Sequence, residues 1–300
     1  MNGVLIINKP GQFTSFDTVA LLRGITKQRK IGHCGTLDPN ATGVLPILLG
    51  KATKAQDIIP NHDKEYRAAL KFGFTSDTLD IWGNVASVCK PKVSASSLSR
   101  ALDGFRGEIM QTPPMYSAVQ INGQRLYDLA RKGIEVERKS RRVTVYKLEC
   151  LDFNEEEQTA QIAVKCSKGT YIRSLIDDIG KALGCGAVMT SLERTCACGY
   201  NISEAITLRE VQSLADSGTL EKYIRSTESL FKNYREIFVT EKQCMRFSNG
   251  GALDIKRTSL AFGAKDTEIV RIKSRNSGFI GLGTVDLEKQ AVKIFKLFNC

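Results

Sequence analysis

The sequence predicts an α+β fold, with a large mixed domain followed by a small β-rich one. Up to about residue 230, runs that alternate apolar and polar residues occur beside segments with helical spacing. After that point the chain consists of short β-type runs punctuated by glycine. Its 300 residues are enough for one large domain plus a small one, or for two medium domains.

The N-terminal third begins with GVLIINKP, which is typical of a buried strand ended by Pro10. The next segment predicts a helix with Thr14 or Ser15 as its N-cap. Its apolar face has four members: Phe16, Val19, Ala20 and Leu22. An apolar segment at 44–54 then leads to a helix start near Ala52, and residues 64–78 predict one alternating strand.

The middle third predicts a serine-capped helix over 94–108 and then an extended Pro-Pro segment. Asn122-Gly123 is a turn signal, and the helix after it is closed by Gly133. Residues 141–153 and 158–172 predict two alternating strands joined by an acidic hairpin loop. An amphipathic helix follows, with Arg173 in its first turn and Gly184 at its end.

The last part of the chain predicts a separate β-rich domain. Its β-type runs are residues 235–253, 267–285 and 291–300.

Charge and composition narrow the class of protein. Lys plus Arg total 43 against 32 for Asp plus Glu, which gives a net charge of +11 and favours a polyanionic partner such as nucleic acid. No apolar run approaches the roughly 20 residues that span a bilayer, and the apolar start lacks a basic leader, so we expect a cytoplasmic protein. The nine cysteines form no CxxC pair, which predicts reduced thiols and no metal site.

The segment GHCGTLDPNATG, residues 32–43, carries a lone carboxylate and a lone imidazole. A loop rich in turn formers can aim Asp38 into a cleft, although Asp before Pro39 also initiates ordinary turns. His33 has no metal-ligand neighbour at a suitable spacing, which leaves a ring that stacks on a nucleobase or one that is buried and hydrogen-bonded.

Aromatic and basic residues alternate at two further places. Tyr66 lies between Lys64 and Arg67, and Tyr171 lies two residues before Arg173. Such pairs suit base stacking combined with phosphate contact, whereas the alternative for each tyrosine is core packing. A basic run between them is either an RNA-gripping arm or a solvated face. Its members are Arg125, Arg131, Lys132, Arg138, Lys139, Arg141, Arg142 and Lys147.

Together these motifs resemble the TruB family of pseudouridine synthases, the tRNA pseudouridine-55 synthases. The family pattern G-H-x-G-x-L-D-P-x-A-x-G-x-L is matched between Gly32 and Leu45. The resemblance extends over most of the chain, to the Lys-Pro motif, the tyrosine motif, the RNA-clasping segment, the arginine motif and the apolar wall of the pocket. Their representatives are Lys9 and Pro10, Tyr66, residues 112–139, Tyr171 with Arg173, and Leu192. Gln120 stands where the family often has lysine.

The resemblance implies a fold. A pseudouridine-synthase catalytic domain, with a mixed, largely antiparallel sheet flanked by helices, would span residues 1–236. An RNA-clasping insertion would lie around 120–147, and a PUA-like RNA-binding domain would span 237–300.

The resemblance also implies an activity, conversion of the uridine at position 55 of the tRNA T-loop to pseudouridine, without a cofactor. Asp38 would act in cleavage of the glycosidic bond, with C1′, C6 or a sugar proton as its target, and Arg173 would pair with it. Tyr66 would stack on the flipped uracil and serve in proton removal from C5. The substrate-binding residues would be His33, Tyr171, Leu192 and Lys9.

Two other readings stay open on the residues. One is a related synthase that acts on ribosomal RNA with guide RNA partners, and the other is an RNA-binding or RNA-folding module without chemistry. We expect a monomer that binds tRNA without a guide RNA.

Overall fold

The computed structural model describes residues 1–298. Its first part contains fourteen strands: β1 (Gly3–Lys9), β2 (Ile31–His33), β3 (Thr42–Leu49), β4 (Lys64–Phe72), β5 (Phe74–Ser76), β6 (Val85–Ser87), β7 (Gly107–Gln111), β8 (Gln120–Ile121), β9 (Gln124–Arg125), β10 (Arg141–Asn154), β11 (Thr159–Cys166), β12 (Ala187–Ala197), β13 (Tyr200–Asn201) and β14 (Ile206–Thr207). The α-helices are α1 (Ser15–Thr26), α2 (Ala95–Asp103), α3 (Leu126–Arg131), α4 (Ile172–Ala182), α5 (Leu208–Asp216) and α6 (Glu241–Ser248). None of these helices has both the length and the apolar character needed to cross a membrane.

A ten-stranded sheet forms the frame of the large domain. Its main order is β14-β1-β3-β12-β4-β11-β10-β7, with β2 paired to β3 and β13 paired to β12. The β1–β14 and β3–β12 pairs are parallel and the other pairs are antiparallel. The predicted α+β class with a mixed, largely antiparallel sheet is confirmed.

Strand β1 is apolar on both faces because both faces are covered. Leu5 and Ile7 belong to the main core, to which helices α1, α2, α4 and α5 contribute side chains. Val4 and Ile6 point the other way, into a second core that also contains Leu282 of the C-terminal region. Since side chains alternate along a strand, the unbroken run of apolar residues in β1 reports burial between two layers.

A five-stranded sheet forms the C-terminal β domain. Its strands are β15 (Arg235–Val239), β16 (Leu253–Asp254), β17 (Ile269–Ser274), β18 (Gly278–Asp286) and β19 (Ala291–Leu297). The order is β15-β17-β18-β19-β16. This domain confirms the predicted PUA-like β region, while the boundary at residue 236 stays a prediction. The last two residues of the predicted run 291–300, including Cys300, lie outside the described residues.

Local signals located most elements correctly. Thr14 and Ser94 cap α1 and α2 through capping boxes, and Asn122-Gly123 forms the turn of the β8–β9 hairpin with positive φ at both residues.

The eight cysteines among the described residues are free thiols.

Three expectations were wrong. In α1, Phe16 is 63% exposed and Ala20 is also exposed, so the buried face instead includes Ser15 and Thr18. The single strand expected over 64–78 is broken at Gly73, where φ is +87° and a side chain would clash with the 89–91 segment. The run 235–253 contains helix α6, because Thr240 and Gln243 form a capping box that starts a helix between two strands.

Candidate active site

The loop that carries Asp38 connects β2 to β3 and is fixed from below by buried polar side chains. Ser15, at the start of α1, accepts a hydrogen bond from the Leu37 N–H at 2.9 Å and donates one to the Leu37 carbonyl at 3.3 Å. The Ala41 N–H donates to the Asp38 carbonyl at 3.1 Å, which closes a turn through Pro39. Asp38 therefore lies in a turn, as its position before Pro39 indicated, and this turn is compatible with a functional role for its carboxylate.

Lys9 lies beneath this loop and is fully buried. Its ammonium donates to the carbonyl oxygens of Pro10 at 2.7 Å, Phe13 at 2.6 Å and Pro39 at 3.1 Å. Burial lowers the pKa of Lys9 to about 8, while the nearby carboxylate of Asp38 opposes that shift. All three donors are used by the protein, so the geometry favours a role in holding the loop over the expected contact with RNA.

Arg194 holds the same loop from the other side. It lies on β12, is fully buried, and donates to the carbonyls of Gly35 at 3.1 Å, Thr36 at 3.3 Å and Val44 at 2.8 Å. Gly43 makes this approach possible, since a side chain there would lie 2.2 Å from the Arg194 carbonyl oxygen. The chain thus uses a buried guanidinium to shape the loop before Asp38.

Arg173 pairs with the carboxylate of Asp38. Its Nε lies 2.9 Å from Oδ2 and its Nη2 lies 3.2 Å from Oδ1, which is a two-point contact. The side chain of Arg173 is 6% exposed, whereas that of Asp38 is 39% exposed. The pairing expected from the sequence is present, and it leaves the carboxylate reachable from solvent while its cation is buried.

A second carboxylate and two carbonyls complete the environment of Arg173. Its Nη1 donates to the Thr78 carbonyl at 2.9 Å and lies 3.7 Å from an oxygen of Asp80. Its Nη2 donates to the Tyr116 carbonyl at 2.8 Å. Asp80 is in turn fixed by the Thr78 hydroxyl at 2.6 Å. These contacts fix the guanidinium in a single orientation toward Asp38.

Tyr66 lies on β4, directly opposite Arg194 on β12. Its ring belongs to the main core and is 7% exposed. Burial raises the pKa of Tyr66 to about 12, and the adjacent guanidinium of Arg194 works against that rise. The phenol is also close enough to Asp38 to feel its charge. The two residues expected to act on the substrate therefore share one site.

His33 ends β2, at the edge of the same loop. Burial lowers the pKa of His33, and the charge of Arg194 lowers it further. Its buried Nδ1 has no hydrogen-bond partner within the described part of the chain. The ring is therefore neutral near pH 7, as a stacking surface would be.

The remaining predicted residues lie around this centre. Leu192 is buried on β12, on the strand that also carries Arg194. Tyr171 precedes α4 and lies under the guanidinium of Arg141, 5.0 Å from ring centroid to Cζ. Its backbone is held at both ends by Gln111, through bonds of 2.8 and 3.1 Å. Tyr171 thus links the basic segment to the helix that carries Arg173.

The segment 120–147 extends from the site as a hairpin, a short helix and an irregular stretch that leads into β10. Arg125 and Arg131 flank the ring of Tyr127, at 5.7 and 5.5 Å from its centroid. Leu126 and Leu129 anchor the helix through buried side chains. The exposed side of this segment is basic, as the sequence indicated.

Sequence reasoning missed Arg194 and Asp80, and it considered Ser15 only as a helix cap. Arg194 stands two residues after Leu192, within the motif AVMTSLERT, so the signal was present. A lone arginine in an alternating strand gives no indication that it is buried. No local pattern marks Asp80, and the pattern around Ser15 indicates only the start of a helix.

Two family models together match residues 23–232. The TruB family pseudouridylate synthase N-terminal domain matches residues 23–172, and the tRNA pseudouridylate synthase B C-terminal domain matches residues 173–232. The chain belongs to the TruB family. It is therefore an isomerase of that family, a tRNA pseudouridine synthase that converts uridine to pseudouridine.

Curated relatives of this TruB-family chain match along its whole length. It is 43% identical to tRNA pseudouridine synthase B of Clostridium tetani over 298 residues, which is 99% of each chain. It is 41% identical to the protein of the same name from Clostridium acetobutylicum over 299 residues, with both chains fully covered.

Solved structures show the same fold. A chain of a Cbf5-Nop10-Gar1 complex matches with a TM-score of 0.75 and 28% identity, over 99% of this chain and 84% of that one. A chain of an H/ACA RNP bound to a substrate RNA containing 2′-deoxyuridine matches with a TM-score of 0.75 and 25% identity, over 99% and 85%.

Proposed function

We propose that this enzyme isomerises the uridine at position 55 in the T-loop of tRNA, by flipping the base and using Asp38 to cleave and re-form the glycosidic bond. The proposal rests on the two-point contact between the guanidinium of Arg173 and the carboxylate of Asp38. A carboxylate that is half-exposed, charged and held in a fixed orientation is suited to attack an electrophilic carbon or to stabilise developing positive charge.

The other residues of the site take roles that follow from their positions. Tyr66 lies at the floor of the site, where its ring packs against the uracil and its oxygen removes the proton from C5. His33 supplies a neutral ring at the rim, where it stacks against loop bases left by the flipped nucleotide. Leu192 contributes apolar wall, and Tyr171 orients the entrance through its contact with Arg141.

Binding of the tRNA falls to the basic and C-terminal parts of the protein. The segment 120–147 presents arginines and an aromatic ring beside the site, a combination suited to backbone phosphates and unpaired bases. The C-terminal β domain, proposed to begin near residue 237, extends the contact with the T-stem-loop. We propose that a monomer acts in the cytoplasm on tRNA alone, with no guide RNA and no cofactor.

The test is product formation on an unmodified tRNA transcript, with the modified position mapped by carbodiimide adducts and primer extension. Wild type and Asp38→Asn are compared, and tRNA binding is titrated for both. We expect pseudouridine at position 55 with wild type only, and similar binding by both proteins. Asp38→Asn should lower the rate on the order of 10⁴-fold, since it keeps the shape and removes the charge.

The same experiment separates the alternatives. A requirement for an added guide RNA, or product on ribosomal RNA only, would favour the guide-dependent reading. Binding by both proteins with no product from either would favour an RNA-binding or RNA-folding module. Product at another uridine of the tRNA would reject the T-loop assignment while leaving the family's reaction in place.

A further inference from the structure

Arg194 lies between two parts of the site, the loop that carries Asp38 and the side chain of Tyr66. Its side chain binds three carbonyls around the Asp38 loop, at 2.8 to 3.3 Å. On β12 it also stands directly opposite Tyr66 of β4, so the two side chains are on the same face of the sheet. The guanidinium is therefore a neighbour of both the loop and the phenol.

The charge of Arg194 is placed at a cost. The side chain is fully buried, and its hydrogen-bond acceptors in the described structure are backbone carbonyls rather than carboxylates. An unpaired buried cation is expensive, and a neutral donor could hold a carbonyl at lower cost. A positive charge in this place is more than the loop geometry alone requires.

We infer that Arg194 is a positioning residue for catalysis: it fixes the oxygen of Tyr66 against the uracil and supplies the positive charge that favours the phenolate. The inference rests on the proposed role of Tyr66 and deepens it. The guanidinium would act through the phenol and would not touch the substrate.

The step that it serves is the last one of the reaction. After C5 has bonded to C1′, C5 still carries its hydrogen and the ring holds a double bond between N1 and C6. The C5–H bond breaks and its electron pair forms the C5–C6 double bond, while the proton passes to the phenolate oxygen. The former N1–C6 electron pair moves to N1, which takes up a proton from solvent, so the ring regains its original charge.

The neighbours of the phenol show why a cation matters. Tyr66 is surrounded by the core, by Asp38 on the loop, by Cys166 on β11 and by Arg194 on β12. Burial raises the pKa of the Cys166 thiol to about 11, so it stays neutral. Asp38 opposes a phenolate, whereas Arg194 is the neighbour whose positive charge favours it.

The experiment measures pseudouridine formation with uridine and with 5-deuterated uridine in the same tRNA, for wild type, Arg194→Lys and Arg194→Met. We expect both variants to slow turnover, by about tenfold or more. For each variant we also compare the rate with uridine to the rate with 5-deuterated uridine. We expect this ratio to rise above the wild-type ratio, because proton removal from C5 becomes slower. In Arg194→Met, where the charge is lost, the rising limb of the pH–rate profile should move to higher pH.

A structural role alone would give another result. If Arg194 only holds the loop, its loss slows bond cleavage, and the deuterium ratio and the pH limb stay at their wild-type values. That outcome, or unchanged turnover in both variants, would overturn the inference. Thermal melting of each variant accompanies the assay, and if Arg194→Met fails to fold, the deuterium ratio of Arg194→Lys decides.

The matched control is Arg225→Met. The Arg225 side chain is exposed and lies 3.7 Å from Glu204. Its rate ratio and pH profile should equal those of wild type. Total pseudouridine is measured as nucleoside and its position is mapped separately, so a failure of the position-55 proposal and a failure of this inference are distinguishable.

Discussion

Arg173 contacts both carboxylate oxygens of Asp38, at 2.9 Å through Nε and 3.2 Å through Nη2. The two residues are separated by 135 positions in the sequence. The guanidinium is buried and held in place, whereas the carboxylate is half-exposed and can be reached by a substrate. The pair therefore presents a charged oxygen in a fixed direction, which is what a reaction at a flipped nucleoside requires.

Replacing Arg173 with lysine should lower turnover on the order of 100-fold while tRNA binding stays within about threefold. Lysine keeps the charge but cannot make the two-point contact or reach the Thr78 and Tyr116 carbonyls together. Single-turnover rates and a binding titration measure the two effects. Arg271→Lys, at a partly buried arginine of β17 that lies 2.6 Å from Glu228, is the control and should keep full turnover. A normal rate in Arg173→Lys would show that turnover does not need the two-point contact between Arg173 and Asp38.

Lys9→Met should reveal the buried charge of Lys9 as a pH-dependent stability difference. The pKa of Lys9 falls from 10.5 to about 8 on folding, so between those pH values the unfolded chain binds more protons. The free energy of unfolding of wild type therefore rises with pH across this window. Below pH 8 the full cost of burying the charged ammonium is present. The difference between 10.5 and about 8 corresponds to on the order of 3 kcal/mol.

Urea unfolding of wild type and Lys9→Met from pH 7 to pH 10 provides the measurement. The stability of wild type relative to the variant should increase as the pH rises above 8. Parallel curves across the whole range would mean that the folded state does not depress the pKa of Lys9.

Gly43→Ala should destabilise the protein by about 3 kcal/mol or more. The added Cβ would lie 2.2 Å from the Arg194 carbonyl, and φ at Gly43 is +103°. Gly24→Ala in α1 is the matched control, since nothing lies within 4 Å of its added Cβ. That change should stabilise the protein by about 0.5–1 kcal/mol through helix propensity. Chemical denaturation measures both, and equal effects would contradict the assigned close contact of β3 and β12.

The ring of His33 should titrate below pH 6.5. Burial lowers the pKa of His33, and Arg194 adds to the effect, so the imidazole is neutral at pH 7. Proton NMR of the C2 resonances gives the midpoint. The chain has only two histidines, and a His62→Gln variant assigns the signals. A midpoint above 6.5 would mean that a counter-charge stabilises the imidazolium in the folded protein.

Local patterns were sufficient for most elements of the fold. Alternation identified β10 and β11, side-chain caps identified the starts of α1 and α2, and a turn dipeptide identified the β8–β9 hairpin. These signals are local because the hydrogen bonds that produce them span a few residues. The β-type run 235–253 was misread because a capping box at Thr240 lies inside it.

The sequence by itself determined the class of fold, the loop that presents Asp38 and the family to which the chain is similar, because each depends on residues close together in the chain. The tertiary structure decided which polar residues are buried beneath that loop. Lys9 ends an apolar strand and Arg194 stands in β12, and neither position indicates that its charge is buried, yet both side chains are fully buried. The carbonyls of Pro39, 30 residues away from Lys9, and of Val44, 150 residues away from Arg194, are among the acceptors that make this burial possible. Whether a polar side chain can be buried depends on hydrogen-bond partners that folding brings together, and the local sequence pattern does not identify those partners.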